Sequence, residues 1–297
     1  MKSKEVGVER TRFLVETTWL AEHLQDASLR LVDVRGYVRT VEQNGVQEAR
    51  YVGARDEYEQ SHIPGALFID WTSDIVDLDD VVKAQIAPAE RFAHVMGRLG
   101  IGDQHLVVAY DAHPAPQFAT RLWWALTYYG HNQVVVLNGG LAKWQRENLP
   151  MTDTIPVYPV ATFTPVVQPE LRATAEDVLM LLGQEDVSLI DARDRGQYTG
   201  AIVRRPGRPG HIPGALNIPR EEVVDSATGT FRSNEELARV FSNAHVLPEQ
   251  HVVAYCNGGV AATTILFSLA MLGYPSLTNY DGSWNEWGER QDLPVEI

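Results

Sequence analysis

Residues 251–262 have the sequence HVVAYCNGGVAA. The first five are mostly apolar and do not alternate with polar residues, which is typical of a strand buried on both faces of a parallel sheet. A largely apolar stretch at 262–272 follows and predicts a helix that stops at Gly273. Between the two lie Cys256 and a pair of glycines. The segment therefore predicts a strand, a tight loop that carries a cysteine, and the N-terminus of a helix.

A related segment occurs in the first half of the chain, where VVAYD at 107–111 matches VVAYC at 252–256. Three further pairs occur in the same order along the chain: LVDVR at 31–35 with LIDAR at 189–193, SHIPGAL at 61–67 with GHIPGAL at 210–216, and LNGGLAKW at 137–144 with YDGSWNEW at 280–287. Four ordered matches at a separation of about half the chain indicate a duplicated domain rather than a short-period repeat.

The stretch between the two halves is rich in proline and lacks periodicity, which favours an extended linker. We predict an N-terminal domain at 1–152, a linker at 153–169 and a C-terminal domain at 170–297. Strand-like runs alternate with helical patterns in both halves. The predicted strands are 29–34, 106–110, 133–137, 187–191, 251–255 and 276–280, and the predicted helices include 174–182 and 234–243. This alternation predicts an α/β fold with a central parallel sheet flanked by helices in each domain.

Composition narrows the function classes. The 297 residues include 25 Lys and Arg against 39 Asp and Glu, for a formal net charge of −14. So acidic a chain repels nucleic acid and anionic membrane surfaces, and we expect neither as a partner. No apolar run is long enough to span a bilayer, and the sequence MKSKEVGVERTRF has no signal-peptide core, so we expect a cytoplasmic protein. A single cysteine provides no thiolate cluster, and we expect no metal or organic cofactor.

A lone cysteine is either a small buried hydrophobic residue or a reactive thiol. The first amides of a helix lack intrahelical acceptors, and the helix dipole is positive at that end. Gly258 and Gly259 allow successive N–H groups to turn toward one point. We therefore predict that Cys256 is a nucleophile held as a thiolate.

These motifs resemble those of the tandem-domain rhodaneses, which are thiosulfate and 3-mercaptopyruvate sulfurtransferases. The resemblance covers nearly the whole chain and is carried by both Asp-x-Arg segments, both His-Ile-Pro-Gly-Ala segments, the cysteine loop and residues 280–287. It implies two rhodanese-like domains of which only the second is catalytic, in agreement with Asp111 at the position that matches Cys256. It also implies that a Cys256 persulfide carries sulfur from a small donor to cyanide or a thiol.

The resemblance further implies that Arg193 binds the anionic end of the donor; the alternative is a salt bridge with Asp191 or Asp194. It implies substrate binding by the loop residues Asn257, Gly258, Gly259, Val260 and Ala261. Arg204, Arg205 and Arg208 precede His211, and we expect them in a solvated loop rather than at the rim of the pocket. The aromatic residues of one helical stretch are expected to pack in the core or between the domains: Trp123, Trp124, Tyr128 and Tyr129.

The sulfur donor stays open at this stage. Thiosulfate enzymes of this family usually carry cations in the cysteine loop, but the loop here is neutral. Mercaptopyruvate enzymes usually carry a Cys-Gly-Ser-Gly-Val loop, but Gly258 stands at the serine position. The alternative function is a non-catalytic persulfide carrier or binding module for a partner protein. A cysteine phosphatase is disfavoured, because the required arginine six residues after the cysteine is replaced by Ala262.

Overall fold

The computed structural model describes residues 10–43, 46–204 and 207–297. In the first half, the elements are β1 (Leu14–Val15), α1 (Thr17–His23), β2 (Leu29–Asp33), β3 (Gly36–Gln43), β4 (Val46–Gly53), α2 (Arg55–Gln60), β5 (Leu67–Phe68), α3 (Ala89–Arg98), β6 (Leu106–Tyr110), α4 (Gln117–Tyr128), β7 (Val134–Leu137) and α5 (Gly140–Arg146). In the second half, they are β8 (Arg172–Ala173), α6 (Ala175–Leu181), β9 (Val187–Asp191), α7 (Arg195–Tyr198), β10 (Leu216–Asn217), α8 (Asn234–Asn243), β11 (His251–Tyr255), α9 (Ala262–Met271), β12 (Leu277–Tyr280) and α10 (Ser283–Trp287).

The main strands form two sheets with the same plan. The first has the order β1-β7-β6-β2-β5 and the second the order β8-β12-β11-β9-β10, and every pair in both is parallel. The two orders match when each strand is replaced by its counterpart in the repeat. The predicted α/β fold with a parallel sheet in each half is therefore confirmed, and so is the duplication.

Most predicted elements lie where the sequence pattern places them. The runs at 106–110, 187–191 and 251–255 coincide with β6, β9 and β11, and 234–243 coincides with α8. The other predicted strands and the helix at 174–182 extend by one residue beyond the observed ends. Residues 153–168 form neither helix nor strand. That stretch bonds to the first half, for example from the Ala161 N–H to the Gly97 carbonyl at 3.0 Å. The domain boundaries stay a prediction.

One element of the first half has no predicted counterpart. Strands β3 and β4 form an antiparallel hairpin that pairs Gly36 with Gly53 and Val38 with Tyr51. Within the described residues, the second half has no such hairpin between β9 and β10. The two halves therefore share a sheet plan but differ in what projects from the carboxyl edge of the sheet.

Helices α4 and α9, which are counterparts in the repeat, pack against each other between the two sheets. The Thr120 hydroxyl lies 2.9 Å from that of Thr263 and 3.1 Å from that of Thr264. Trp123 packs edge-on against Phe267, with ring centroids 5.0 Å apart. Trp123, Trp124, Tyr128 and Tyr129 are all buried, so the packing role predicted for these aromatic residues is confirmed. This contact joins the halves next to the cysteine loop.

Candidate active site

Cys256 follows β11 directly and lies at the carboxyl edge of the second sheet, where parallel α/β sheets bind their ligands. Its side chain is 4% exposed and lines a cavity of about 270 Å³ between the two halves. The first half contributes Tyr37, Val38, Tyr51, Trp71, His113 and Gln117 to the lining. The second half contributes Arg193, Asp194, Gln197, Arg204, Arg220, Cys256, Asn257, Gly258, Val260 and Ala261. The site is thus built by both domains, although the cysteine comes from one.

The hydroxyl group of Ser283 holds the cysteine loop from inside. Ser283 Oγ accepts hydrogen bonds from the Cys256 N–H at 3.1 Å and the Gly259 N–H at 2.9 Å, and it donates to the Tyr280 carbonyl at 2.7 Å. Gly259 has a φ of +68°, and a Cβ at that position would lie 2.8 Å from the Asp281 carbonyl oxygen. Only glycine fits this turn without strain. The loop conformation is therefore fixed by a serine from the next strand–helix junction.

The remaining amides of the loop are free. Within the described residues, the N–H groups at 257, 258, 260, 261 and 262 donate to no protein acceptor. They belong to the loop around Cys256 and to the first turn of α9, a helix of 10 residues. Unpaired amides at a helix start stabilise negative charge, and thiolates benefit from this position. The loop can therefore hold an anionic sulfur at Cys256.

The predicted loop residues divide into two groups. Asn257, Gly258, Val260 and Ala261 line the cavity, as expected for groups that contact a bound molecule. Gly259 does not appear in the lining formed by the described residues, and its amide is engaged by Ser283. Its geometry gives it a part in shaping the loop.

The first half also fixes the loop through a buried ion pair. Arg121 in α4 is 1% exposed, and its Nη1 donates to Asp281 Oδ1 at 2.6 Å and to the Gly259 carbonyl at 3.2 Å. Its Nη2 donates to the Ala84 carbonyl at 2.9 Å. The other Asp281 oxygen accepts the Ile86 N–H at 2.8 Å. Because a buried charge that loses its partner is strongly destabilising, this contact ties the conformation of the loop to the docking of the two halves.

Arg193 shows features of both interpretations offered by the sequence. Its Nε and Nη2 donate to the Asp191 carboxylate, and Nη2 also donates to the Gly210 carbonyl at 2.8 Å. The guanidinium stacks over the Trp284 ring, 4.3 Å from its centroid. Arg193 nevertheless lines the cavity, and its Nη1 has no acceptor among the described residues. The ion pair orients the guanidinium and leaves one edge for a ligand.

The expectation of a solvated loop has a different outcome for each of the three arginines. That expectation is wrong for Arg204, which lines the cavity. It is also wrong for Arg208, whose guanidinium donates to the carbonyls of Trp287, Gly288, Arg290 and Leu293. The side chain therefore fastens this segment through four backbone carbonyls. Arg205 lies outside the described residues.

Sequence reasoning missed several cavity residues, of which Arg220 is the most informative. Its Nε is buried and has no partner among the described residues, while Nη2 pairs with Glu221 at 2.8 Å. Burial lowers the pKa of the neighbouring His113, and the charge of Arg220 lowers it further. A usable signal existed: Arg220 follows β10, so it lies at the same carboxyl edge as Cys256.

The cavity is cationic although the chain is acidic. Arg193, Arg204 and Arg220 line it, and Asp194 is the acidic residue in the lining among the described residues. The Asp194 carboxylate accepts the Gln197 N–H at 3.0 Å and thereby caps α7. Planar guanidinium groups near a free thiol suit a small molecule that carries a carboxylate or sulfonate.

Comparison with known proteins agrees with this geometry. The family model described as "Rhodanese-like domain" matches residues 16–147 and 174–290. The chain belongs to the rhodanese-like family. It is 36% identical over 289 residues to a 3-mercaptopyruvate sulfurtransferase of Escherichia coli strain K12, with 96% of this chain and 98% of the relative covered. It is 34% identical to the sulfur carrier protein TtuD of Thermus thermophilus, with 98% of each covered.

Among rhodanese-like structures, the crystal structure of the 3-mercaptopyruvate sulfotransferase SseA from Escherichia coli superposes with a TM-score of 0.78 at 31% identity. The match covers 92% of this chain and 98% of that one. The resemblance to tandem-domain rhodanese sulfurtransferases is thus confirmed, and the chain is classed as a sulfurtransferase.

Two further observations apply to the part of the chain that the structure describes. No group of three or more His, Cys, Asp or Glu side chains is placed to hold a metal ion. No helix there has the length and apolar character needed to cross a bilayer.

Proposed function

We propose that this protein moves a sulfane sulfur from a small anionic donor, thiosulfate or 3-mercaptopyruvate, to cyanide or a thiol through a persulfide on Cys256. One observation carries the proposal: Cys256 and its free loop amides open into a cavity lined by Arg193, Arg204 and Arg220. Other readings of a buried cysteine do not account for this concentration of positive charge beside it.

In the first step, the Cys256 thiolate attacks the outer sulfur of the donor. A sulfur–sulfur bond forms at Cys256, and the bond between that outer sulfur and the rest of the donor breaks. When thiosulfate is the donor, the leaving group is sulfite, which takes the bonding electron pair, and Cys256 becomes a persulfide anion. When 3-mercaptopyruvate is the donor, the leaving group is the enolate of pyruvate, which then takes a proton. The thiol proton of 3-mercaptopyruvate stays on the persulfide.

In the second step, cyanide or an acceptor thiolate attacks the outer sulfur of the persulfide. The sulfur–sulfur bond breaks, its electron pair returns to Cys256 as a thiolate, and the product is thiocyanate or a new persulfide. The loop amides face negative charge on sulfur in both steps, as preorganised donors do in an oxyanion hole. Stabilisation therefore requires no rearrangement of the loop during the cycle.

The arginines account for donor recognition in a loop that has no cation of its own. Arg193 is held by Asp191 and offers one free edge, and the Arg220 Nε is buried without a partner among the described residues. Both donors carry an anionic end that forked N–H groups bind well. We place Arg193, Asn257, Gly258, Val260 and Ala261 in the substrate site, with Arg204 and Arg220 beside them, and we assign Gly259 the shaping of the loop.

We assign the reaction to the cytoplasm, where the reducing environment keeps a lone thiol available. The alternative, a persulfide carrier that serves a partner protein, is raised by the relative named as a sulfur carrier. A carrier accepts sulfur at Cys256 but turns over poorly with small acceptors, whereas the cationic cavity favours an enzyme for small donors.

Intact-protein mass spectrometry after exposure to each donor tests the proposal, with Cys256→Ser as the matched control. We expect a gain of one sulfur atom in the wild-type chain, none in Cys256→Ser, and loss of the added sulfur when cyanide is supplied. No gain with either donor would contradict the proposal. Stable loading without steady-state thiocyanate production would assign the carrier function instead.

A further inference from the structure

Tyr51 brings a hydroxyl group of the first half to the cysteine loop of the second. It lies on β4, in the hairpin that the second half lacks, and its ring packs on Trp71 with centroids 5.2 Å apart. It lines the same cavity as Cys256. A Cβ at Gly258 would lie 3.3 Å from the Tyr51 hydroxyl oxygen. The hydroxyl therefore sits directly beside the loop that surrounds the thiol.

The hydrogen bonds of this hydroxyl leave its proton free. Tyr51 Oη accepts from Asn285 Nδ2 at 3.0 Å and donates to no protein group among the described residues. Asn285 is itself fixed to the loop, because its N–H donates to the Asn257 carbonyl at 2.7 Å. A rigid contact thus orients the hydroxyl oxygen and leaves a donor for a molecule in the cavity.

Two neighbouring facts separate Tyr51 from the other tyrosine in the cavity. Burial raises the pKa of Tyr51, so the hydroxyl keeps its proton at neutral pH; the Asn285 hydrogen bond opposes this effect, and the negative charge of Cys256 adds to it. The Tyr37 hydroxyl, by contrast, is engaged by the Glu57 carboxylate at 2.8 and 2.7 Å. Only the Tyr51 hydroxyl of this pair is available to a bound sulfur.

We propose that the Tyr51 hydroxyl donates a hydrogen bond to the sulfur being transferred, both in the bound donor and in the Cys256 persulfide. The proposal rests on the proposed function and names a further residue for it. The hydroxyl itself transfers no proton: the sulfur–sulfur bond forms, the leaving group departs with its electron pair, and the hydroxyl stabilises negative charge on the outer sulfur, as in bound thiosulfate and in the persulfide anion. The free amides approach that charge from the loop, and Tyr51 approaches it from the hairpin.

The test compares Tyr51→Phe with Tyr158→Phe. The Tyr158→Phe variant also removes a hydroxyl that donates a hydrogen bond, in this case to the Gly65 carbonyl at 3.0 Å. Tyr158, however, is not among the described residues that line the cavity. For Tyr51→Phe we expect kcat to fall roughly 10- to 100-fold, as for the loss of one hydrogen bond to a charged group, with the donor KM changed by less than about threefold. We also expect a shorter-lived persulfide by mass spectrometry, while Tyr158→Phe matches wild type.

The outcomes separate this inference from the proposed function. A wild-type chain that gains no sulfur at Cys256 contradicts the proposed function. A wild-type chain that gains sulfur, together with a Tyr51→Phe variant whose kcat and persulfide lifetime are unchanged, overturns the role of Tyr51 alone. If Tyr51→Phe does not fold, Asn285→Ala tests the same hydroxyl by releasing its orientation. An unchanged persulfide lifetime in that variant would also overturn the proposal.

Discussion

The two halves of the molecule contain matching loops that carry different side chains, Asp111 in the first half and Cys256 in the second. Asp111 follows β6 as Cys256 follows β11, and the carbonyl of each accepts an N–H from the matching helix, from Leu141 at 2.9 Å and from Trp284 at 3.0 Å. In the first half, the Asp111 carboxylate also accepts the N–H groups of His113, Phe118 and Ala119, each at 2.9 Å. The fold thus builds an anion-binding loop twice. One copy is filled by its own carboxylate, whereas the N–H groups at 257, 258, 260, 261 and 262 of the other have no protein acceptor among the described residues.

A second difference lies at the junction that shapes each loop. Gly140 and Ser283 occupy matching positions, and both have a φ of +52°. Glycine adopts this left-handed backbone easily, whereas serine is strained there. The half that carries Cys256 has this strain together with a hydroxyl that holds the Cys256 and Gly259 amides. Strain at a functional site is therefore localised in one copy of the repeat.

The first half also contributes to the cavity around Cys256. It supplies the hairpin with Tyr51, and Arg121 reaches the Gly259 carbonyl and Asp281 from α4. The first half thus lines the cavity and anchors the cysteine loop, although its own loop carries Asp111 instead of a cysteine.

The largest effect is expected from placing aspartate, the residue of the first loop, at position 256 of the second. Cys256→Asp should abolish sulfur loading and turnover, because no nucleophilic sulfur remains. The chain should still fold, since the free loop amides can accept a carboxylate as the Asp111 loop does. Thiocyanate production measures the loss of turnover, and thermal unfolding measures whether the chain still folds.

The reciprocal change places the cysteine in the loop of the first half and tests whether that loop can support turnover. Adding Asp111→Cys to the Cys256→Asp chain should restore no turnover, because Asp111 is buried and is not among the described residues that line the cavity around Cys256. Recovery of even partial turnover in the double variant would show that the loop alone, without the cationic cavity, suffices for catalysis.

The sequence predicted the features that depend on local pattern and internal repetition. The strand runs and the position of Cys256 follow from short-range signals, and the duplication follows from motifs that recur in the same order in the two halves. The hairpin was missed although the alternating runs around Asn44-Gly45 are typical of one. The role of Tyr51 depends on contacts between distant segments, such as the 3.0 Å bond from Asn285 to Tyr51, which no local pattern encodes. The Arg204 position was misjudged for the same reason.

A smaller effect concerns the pH dependence of stability. Burial raises the pKa of Asp111 from 3.8 to about 7, although its three amide hydrogen bonds lower it. Below about pH 4 the carboxyl is protonated in both the folded and the unfolded chain. As pH rises toward 7, the unfolded chain ionises first, so this group's contribution to stability is lost across that interval. A rise in pKa from 3.8 to about 7 corresponds to a loss of roughly 4 kcal/mol from the free energy of unfolding.

Urea unfolding at several pH values between about 4.5 and 7.5 measures this effect, with Asp111→Asn as the comparison. The free energy of unfolding of wild type, relative to the variant, should fall steadily over the range and level off above about pH 7. A difference that stays constant with pH would mean that Asp111 is ionised throughout, and that the amides outweigh burial.

The smallest effect separates the two properties of Ser283, its hydroxyl and its strained backbone. Ser283→Ala and Ser283→Gly both remove the acceptor of two buried amides, which costs roughly 1–3 kcal/mol of stability in either variant. The alanine keeps a Cβ in the left-handed region, whereas the glycine copies Gly140. The glycine variant should therefore be more stable by about 1 kcal/mol, while both lose turnover because the Cys256 amide is released. Equal stabilities of the two variants would show that the backbone at position 283 stores no strain. Full turnover in Ser283→Gly would show that the loop keeps its shape without the hydroxyl. The thiol itself would then be the decisive difference between the halves.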